Sequence, residues 1–190
     1  MTRPILALLT STTFALAACS NDATVDNNML ATNDIAATDM NAATDMNAAA
    51  ATSVDAAFVT DGIKGDTAEI AIGQLAATKG SAQAVKDFGN MLATDHGAHK
   101  QKLVDLANSA AIPVPTEPAE AGKANLDKLQ VLSGAEFDKT FAQMMVDSHH
   151  NGIAKNEAQA KSGDPQTAAL ATETLPTLRK HLGVAESLAK

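Results

Sequence analysis

Aromatic residues are nearly missing: the chain has neither Trp nor Tyr, and only five Phe. Without aromatic platforms on which bases could stack, and with a formal net charge of −8, nucleic acid is excluded as a partner, because nothing would displace counterions from phosphates. There is one cysteine, Cys19, so no intramolecular disulfide forms and thiol-pair redox chemistry is ruled out. After the first twenty residues no apolar run approaches the length of a membrane span. No Gly-x-Ser-x-Gly elbow, His-Glu-x-x-His pair or phosphate-binding loop occurs, and the chain does not read as an enzyme. What it does have is small apolar residues of high helix propensity, 45% of the 190 residues being hydrophobic, which favours helix over sheet.

The N-terminus reads as an address. Arg3 and an apolar stretch from Ile5 to Leu16 make residues 1–18 a secretory signal, and Leu16-Ala17-Ala18-Cys19 resembles the lipobox of bacterial lipoproteins. Lipidation of Cys19 is therefore expected, making the membrane a partner through the lipid anchor. Ser20 in place of Asp after the cysteine points to the outer rather than the inner membrane, and the chain is expected on the periplasmic side of the cell envelope. Residues 19–53 are rich in Ala, Asn, Asp, Thr and Met, with the hexad Ala-Thr-Asp-Met-Asn-Ala at residues 37–42 repeated at 43–48. A polar, low-complexity stretch of this kind cannot bury enough surface to offset its ordering entropy, and it is expected to be a disordered tether spanning roughly 30 Å.

The folded part is expected over residues 54–190, all-α, as a ferritin-like four-helix bundle. The spacing predicts helices over residues 55–79, 81–110, 119–132, 133–161 and 165 to the C-terminus. Gly80 is expected as a left-handed helix end, Ser81 as the cap of the second helix, Ser133 with Glu136 as a capping box, and Asp164-Pro165 as the start of the last helix. The Gly80-Ser81 and Gly163-Asp164 turns predict two antiparallel hairpins. The extended Ile112-Pro-Val-Pro-Thr-Glu-Pro118 stretch and a short helix make one long crossover between them. Pro176 falls inside the last helix, where a kink is expected.

Each long helix carries a polar residue on its apolar stripe. Glu69 lies with Phe58, Gly62, Gly65, Ile72 and Ala76; His96 with Leu92, His99, Leu103 and Leu106; His149 with Phe141, Met145 and Ile153; His181 with Leu175, Leu178, Leu182 and Ala185. All four fall near mid-helix, so they should meet at one level, and three imidazoles with a carboxylate are the composition of a transition-metal site for zinc, copper or iron. Asp95, His99, Asp147 and His150 are candidate further ligands or partners that hold a ligand's other nitrogen. The alternative is a buried, hydrogen-bonded network that only fixes helix packing.

Ala68-Glu-Ile-Ala-Ile-Gly-Gln-Leu-Ala76, Phe88-Gly-x-x-Leu92 leading to Asp95-His96, the Met144-Met145-Val146 run before His149, and Thr174-Leu-Pro-Thr-Leu-Arg-x-His-Leu182 resemble one bacterial envelope family, domain of unknown function 4142. The resemblance covers about residues 54–189. It implies a ferritin-like bundle and an envelope location without an established activity, and its recurrent polar positions fall on Glu69, Asp95, His96, His149 and His181. Ser148 stands where relatives carry an acid. A carboxylate-bridged di-iron site, which needs a Glu-x-x-His on each of two helices, is not expected, since the chain offers His96-x-x-His99 and Asp147-x-x-His150 instead.

Overall fold

The computed structural model describes residues 54–190; the expected signal peptide, Cys19 and tether (residues 1–53) lie outside the described residues. The described part is all-helical: α1 (Ala56–Lys79), α2 (Gln83–Ser109), α3 (Glu120–Gln130), α4 (Gly134–Gln159) and α5 (Pro165–Leu188). Among the described residues no helix is long and apolar enough to cross a membrane. All five expected helices are present, with ends shifted by a few residues, and α5 continues through Pro176.

α1 packs most extensively on α2, and α4 on α5, while the α1–α4 and α2–α5 contacts are sparse. The α1–α2 seam is tight because two glycines face each other across it. A Cβ on Gly89 would stand 2.5 Å from the Gly73 carbonyl oxygen, and one on Gly73 would stand 2.7 Å from that of Gly89. No side chain fits between backbones that close.

Caps fix how the two hairpins meet. Asp55 accepts from the Phe58 N–H at the start of α1, and Asp164 accepts from the Gln166 and Thr167 N–H groups at the start of α5. The Asp55 N–H also donates to Asp164 Oδ2 at 2.5 Å, so α1 and α5 begin at the same end. At the opposite end Asp138, near the start of α4, accepts from Ser81 N, Ser81 Oγ and Ala82 N, each at 2.8 Å. α2 and α4 therefore start together. The crossover with α3 runs the length between the end of α2 and the start of α4, tied midway by the Ala119 N–H to the Lys64 carbonyl at 3.1 Å.

Three end signals resolve differently from expectation. Ala82, not Ser81, occupies the cap position of α2, and the capping oxygen comes from Asp138. Ser133 caps α4 by position only, with no side-chain bond, so the capping box with Glu136 does not form. Gly80 is not left-handed (φ −53°); it is small because a Cβ would lie 2.7 Å from Val85 Cγ1 and 2.8 Å from the Ala76 carbonyl. The left-handed position is instead Ala111 (φ 55°), where the Ile112 N–H returns to the Ala107 carbonyl and closes the end of α2.

The apolar core is in two parts. One gathers Ile72, Val85, Phe88, Leu92, Leu129, Phe137, Phe141 and Met145, with α3 contributing Leu129. The other gathers Val59, Ile63, Leu103 and Ala107. In sequence, the buried polar residues of α1 and α2 fall between the two groups: Asp66 and Glu69 between Ile63 and Ile72, His96 between Leu92 and Leu103.

Candidate functional site: three histidines between the two core clusters

All four long helices meet in this polar layer. α2 brings Asp95, His96 and His99, α4 brings Ser148 and His149, α5 brings His181, and α1 brings Asp66 and Glu69. One ring nitrogen from each of His96, His149 and His181 lies within 4.8 Å of the other two, and the three rings are buried, His181 completely. Their centroids are 5.7, 5.4 and 5.2 Å apart for the His96–His149, His96–His181 and His149–His181 pairs.

The outer nitrogen of every ring meets an oxygen that can only accept. His96 Nδ1–H donates to Asp66 Oδ1 at 2.8 Å, His149 Nδ1–H to the Met145 carbonyl at 2.9 Å, and His181 Nε2–H to Asp95 Oδ2 at 2.9 Å. These acceptors set the tautomers and leave His96 Nε2, His149 Nε2 and His181 Nδ1 as the inward nitrogens. His149 Nε2 and His181 Nδ1 stand 3.2 Å apart, and His96 Nε2 is buried without a hydrogen-bond partner. Asp66 serves a second imidazole as well: its Oδ2 accepts from His99 Nδ1 at 2.8 Å.

The electrostatics divide the three rings. Burial pulls the His181 pKa down to about 4, the Asp95 hydrogen bond opposing it and the charges of His96 and His149 adding to it. Burial also lowers His149, with His96 acting the same way and Glu69 opposing. For His96 burial again depresses, but the Asp66 hydrogen bond and the charges of Glu69, Asp66 and Asp95 outweigh it, and its pKa rises. Burial would raise Asp66, yet the hydrogen bonds from His96 and His99 prevail and hold it below the usual carboxylate range. His149 and His181 are thus neutral at pH 7, with lone pairs ready to coordinate.

His96, His149 and His181 come together as the sequence pattern anticipates. Glu69 is buried beside them and acts electrostatically on His96 and His149, but it is not among the atoms that meet within 4.8 Å; its Oε1 accepts from the Ser148 hydroxyl and its Oε2 has no partner. Asp95 and His99 hold places in the network. Asp147 and His150 do not: Asp147 is exposed and accepts from Gln143, and His150 is exposed, 4.0 Å from Glu186.

Asp66 is the member that sequence reasoning missed. A stripe drawn through Phe58, Gly62 and Gly65 puts Asp66 at the edge of the buried face. The true stripe runs through Val59, Ile63 and Asp66, about one residue round the helix. Steps of four and three linking two β-branched residues to an acid were the available signal, and they outweigh a stripe of glycines.

Two comparisons bear on the fold and the family. The crystal structure of a DUF305 fragment from Deinococcus radiodurans is similar with a TM-score of 0.63 at 12% identity, covering 70% of this chain and 93% of that one, a likeness of fold alone. No curated protein matches the chain. Residues 40–188 match the family model described as domain of unknown function (DUF4142), and the protein belongs to that family.

Proposed function

We propose that this chain is a lipid-anchored envelope protein whose ferritin-like four-helix bundle binds one transition-metal ion through His96, His149 and His181, as a binding module rather than an enzyme. A single observation carries the metal reading. Each imidazole spends its N–H on an acceptor-only oxygen and turns its other nitrogen toward the other two rings. Converging lone pairs cannot hydrogen-bond to one another, and a cation satisfies all three at once. Nitrogens about 2 Å from a tetrahedral ion stand roughly 3.3 Å apart, close to the 3.2 Å between His149 Nε2 and His181 Nδ1. Zinc, copper and iron all accept imidazole, and copper(II) heads the affinity order for such donors.

A second reading has its own support. Cross-helix bonds join Asp66 to His96, Asp95 to His181 and Ser148 to Glu69, so the layer ties all four long helices whether or not metal is bound. Thermal unfolding of the full chain in detergent, with EDTA and with added zinc or copper, separates the two. Metal binding predicts a melting temperature raised by the ion and lowered by EDTA, both shifts vanishing in His149→Ala/His181→Ala; a purely structural layer predicts none. The anchor has a separate test: intact mass of the membrane-extracted chain should show a cleaved, acylated Cys19, and Cys19→Ser should release the protein from the membrane fraction.

A further inference from the structure

The sparse contact between α1 and α4 leaves a cleft of about 780 Å³. Gly65, Glu69, His96, Ser148, His149 and Asn156 are among the residues lining it. The cleft therefore reaches two of the three inner histidines, His96 and His149. Two lining side chains are nine-tenths buried and carry an acceptor oxygen with no partner in the protein, Glu69 Oε2 and Asn156 Oδ1. Buried acceptors of this kind require a donor, because leaving one unsatisfied costs about 1–3 kcal/mol. The acids along the cleft, Asp55, Asp61, Asp66, Glu69 and Asp147, carry more negative charge than Lys155 and a divalent ion together offset, so small anions are disfavoured there.

We infer that the three-histidine centre keeps a coordination position open toward the α1–α4 cleft, and that it takes there a small neutral oxygen donor carrying a proton, water being the smallest, hydrogen-bonded to Glu69 Oε2. This rests on the metal reading above. Glu69 is then a positioning residue for the incoming ligand and not a fourth metal ligand, which fits its place outside the group of atoms that meet within 4.8 Å. Three protein ligands with one open position is the arrangement that distinguishes ligand-accepting metal centres from closed structural ones.

Gly65 provides a block for the cleft. A Cβ at this position meets nothing within 4 Å, so Gly65→Leu fills space in the cleft without a collision at the backbone, and it also improves helix propensity. The experiment uses the full chain in detergent loaded with copper(II), reading solvent-proton relaxation beside the copper EPR spectrum. The open site predicts strong relaxation enhancement in the wild-type protein. Gly65→Leu should keep stoichiometric copper and three-nitrogen EPR couplings but lose most of the enhancement. Glu69→Gln should keep the copper with altered water exchange. Copper bound with only weak, outer-sphere relaxation in the wild type would overturn the open position and leave the metal reading standing. Loss of copper in Glu69→Gln alone would make Glu69 a ligand and overturn the inference in the same way. Failure of the wild-type chain to bind copper, zinc or iron would remove both.

Discussion

The most consequential single residue after the histidines is Asp66. Both of its oxygens are committed to imidazoles, one of them on the ring with the raised pKa. Asp66→Asn keeps the shape but presents one donor and one acceptor where two acceptors are needed, so one ring must change tautomer or lose its partner. Disturbing a hydrogen bond of this kind typically costs about 10–100-fold in metal affinity, and that loss is expected here by competition with a chromogenic chelator. A smaller effect is expected for His99→Gln, which removes the outer imidazole and leaves the Asp66–His96 bond in place. Equal losses in the two variants would show that Asp66 does not act through His96.

Titration of the same cluster gives a pH dependence with a definite sign. His181 has a folded pKa of about 4, well below the ordinary 6.5, and His149 is also depressed. Their contribution to stability is complete above the unfolded value and is lost as pH falls through about 6.5 toward 4. His96 runs the other way, its contribution present below 6.5 and fading as pH rises through its folded value. Around His181 stand Asp95, which favours its charged form, and the His96 and His149 rings, which oppose it. The metal-free chain should therefore melt at progressively lower temperature between pH 7 and pH 4. His181→Phe should flatten that slope even if its absolute stability differs. An unchanged slope in the variant would count against burial of a neutral His181.

At the scale of the helix, the α1–α2 pair depends on an absence of side chains. Gly89→Ala would set a methyl group 2.5 Å from the Gly73 carbonyl and 2.6 Å from the Ala77 nitrogen, backbone atoms that cannot step aside. Overpacking of this kind should destabilise by about 1–3 kcal/mol in chemical denaturation, against the gain in helix propensity that alanine ordinarily brings. Stability equal to or above wild type would mean that the two helices can separate at no cost. The number and order of the helices were legible in the sequence because Pro, Gly and Asp punctuate long 3.6-residue patterns, and Asp164-Pro165 capped α5 as its chemistry dictates. The start of α2 was not legible, since its capping carboxylate, Asp138, lies 57 residues away in sequence from Ser81. No local rule reaches that far. The same limit hid Asp66: on α1, which alternates small and large residues, the choice of stripe depends on which face its neighbours cover. The three histidines could be read because each stands among unambiguous large apolar residues such as Leu92, Met145 and Leu178.

Across the whole molecule, the distribution of polar groups is uneven in an informative way. Apolar clusters lie on two sides of a layer to which every long helix contributes an ionisable residue, and the cleft between α1 and α4 leads to that layer. A protein that needed only packing could close this layer with apolar side chains at similar or lower free energy. The proposed role of the layer is to hold a metal ion. Its most direct test is the metal content, by inductively coupled plasma mass spectrometry, of the full chain extracted in detergent and purified without an affinity tag or chelator, beside the His149→Ala/His181→Ala variant. A metal-binding layer predicts close to one equivalent of zinc, copper or iron per wild-type chain and none above background in the variant. A wild-type chain that is empty, and that stays empty after incubation with all three metals and desalting, would contradict it.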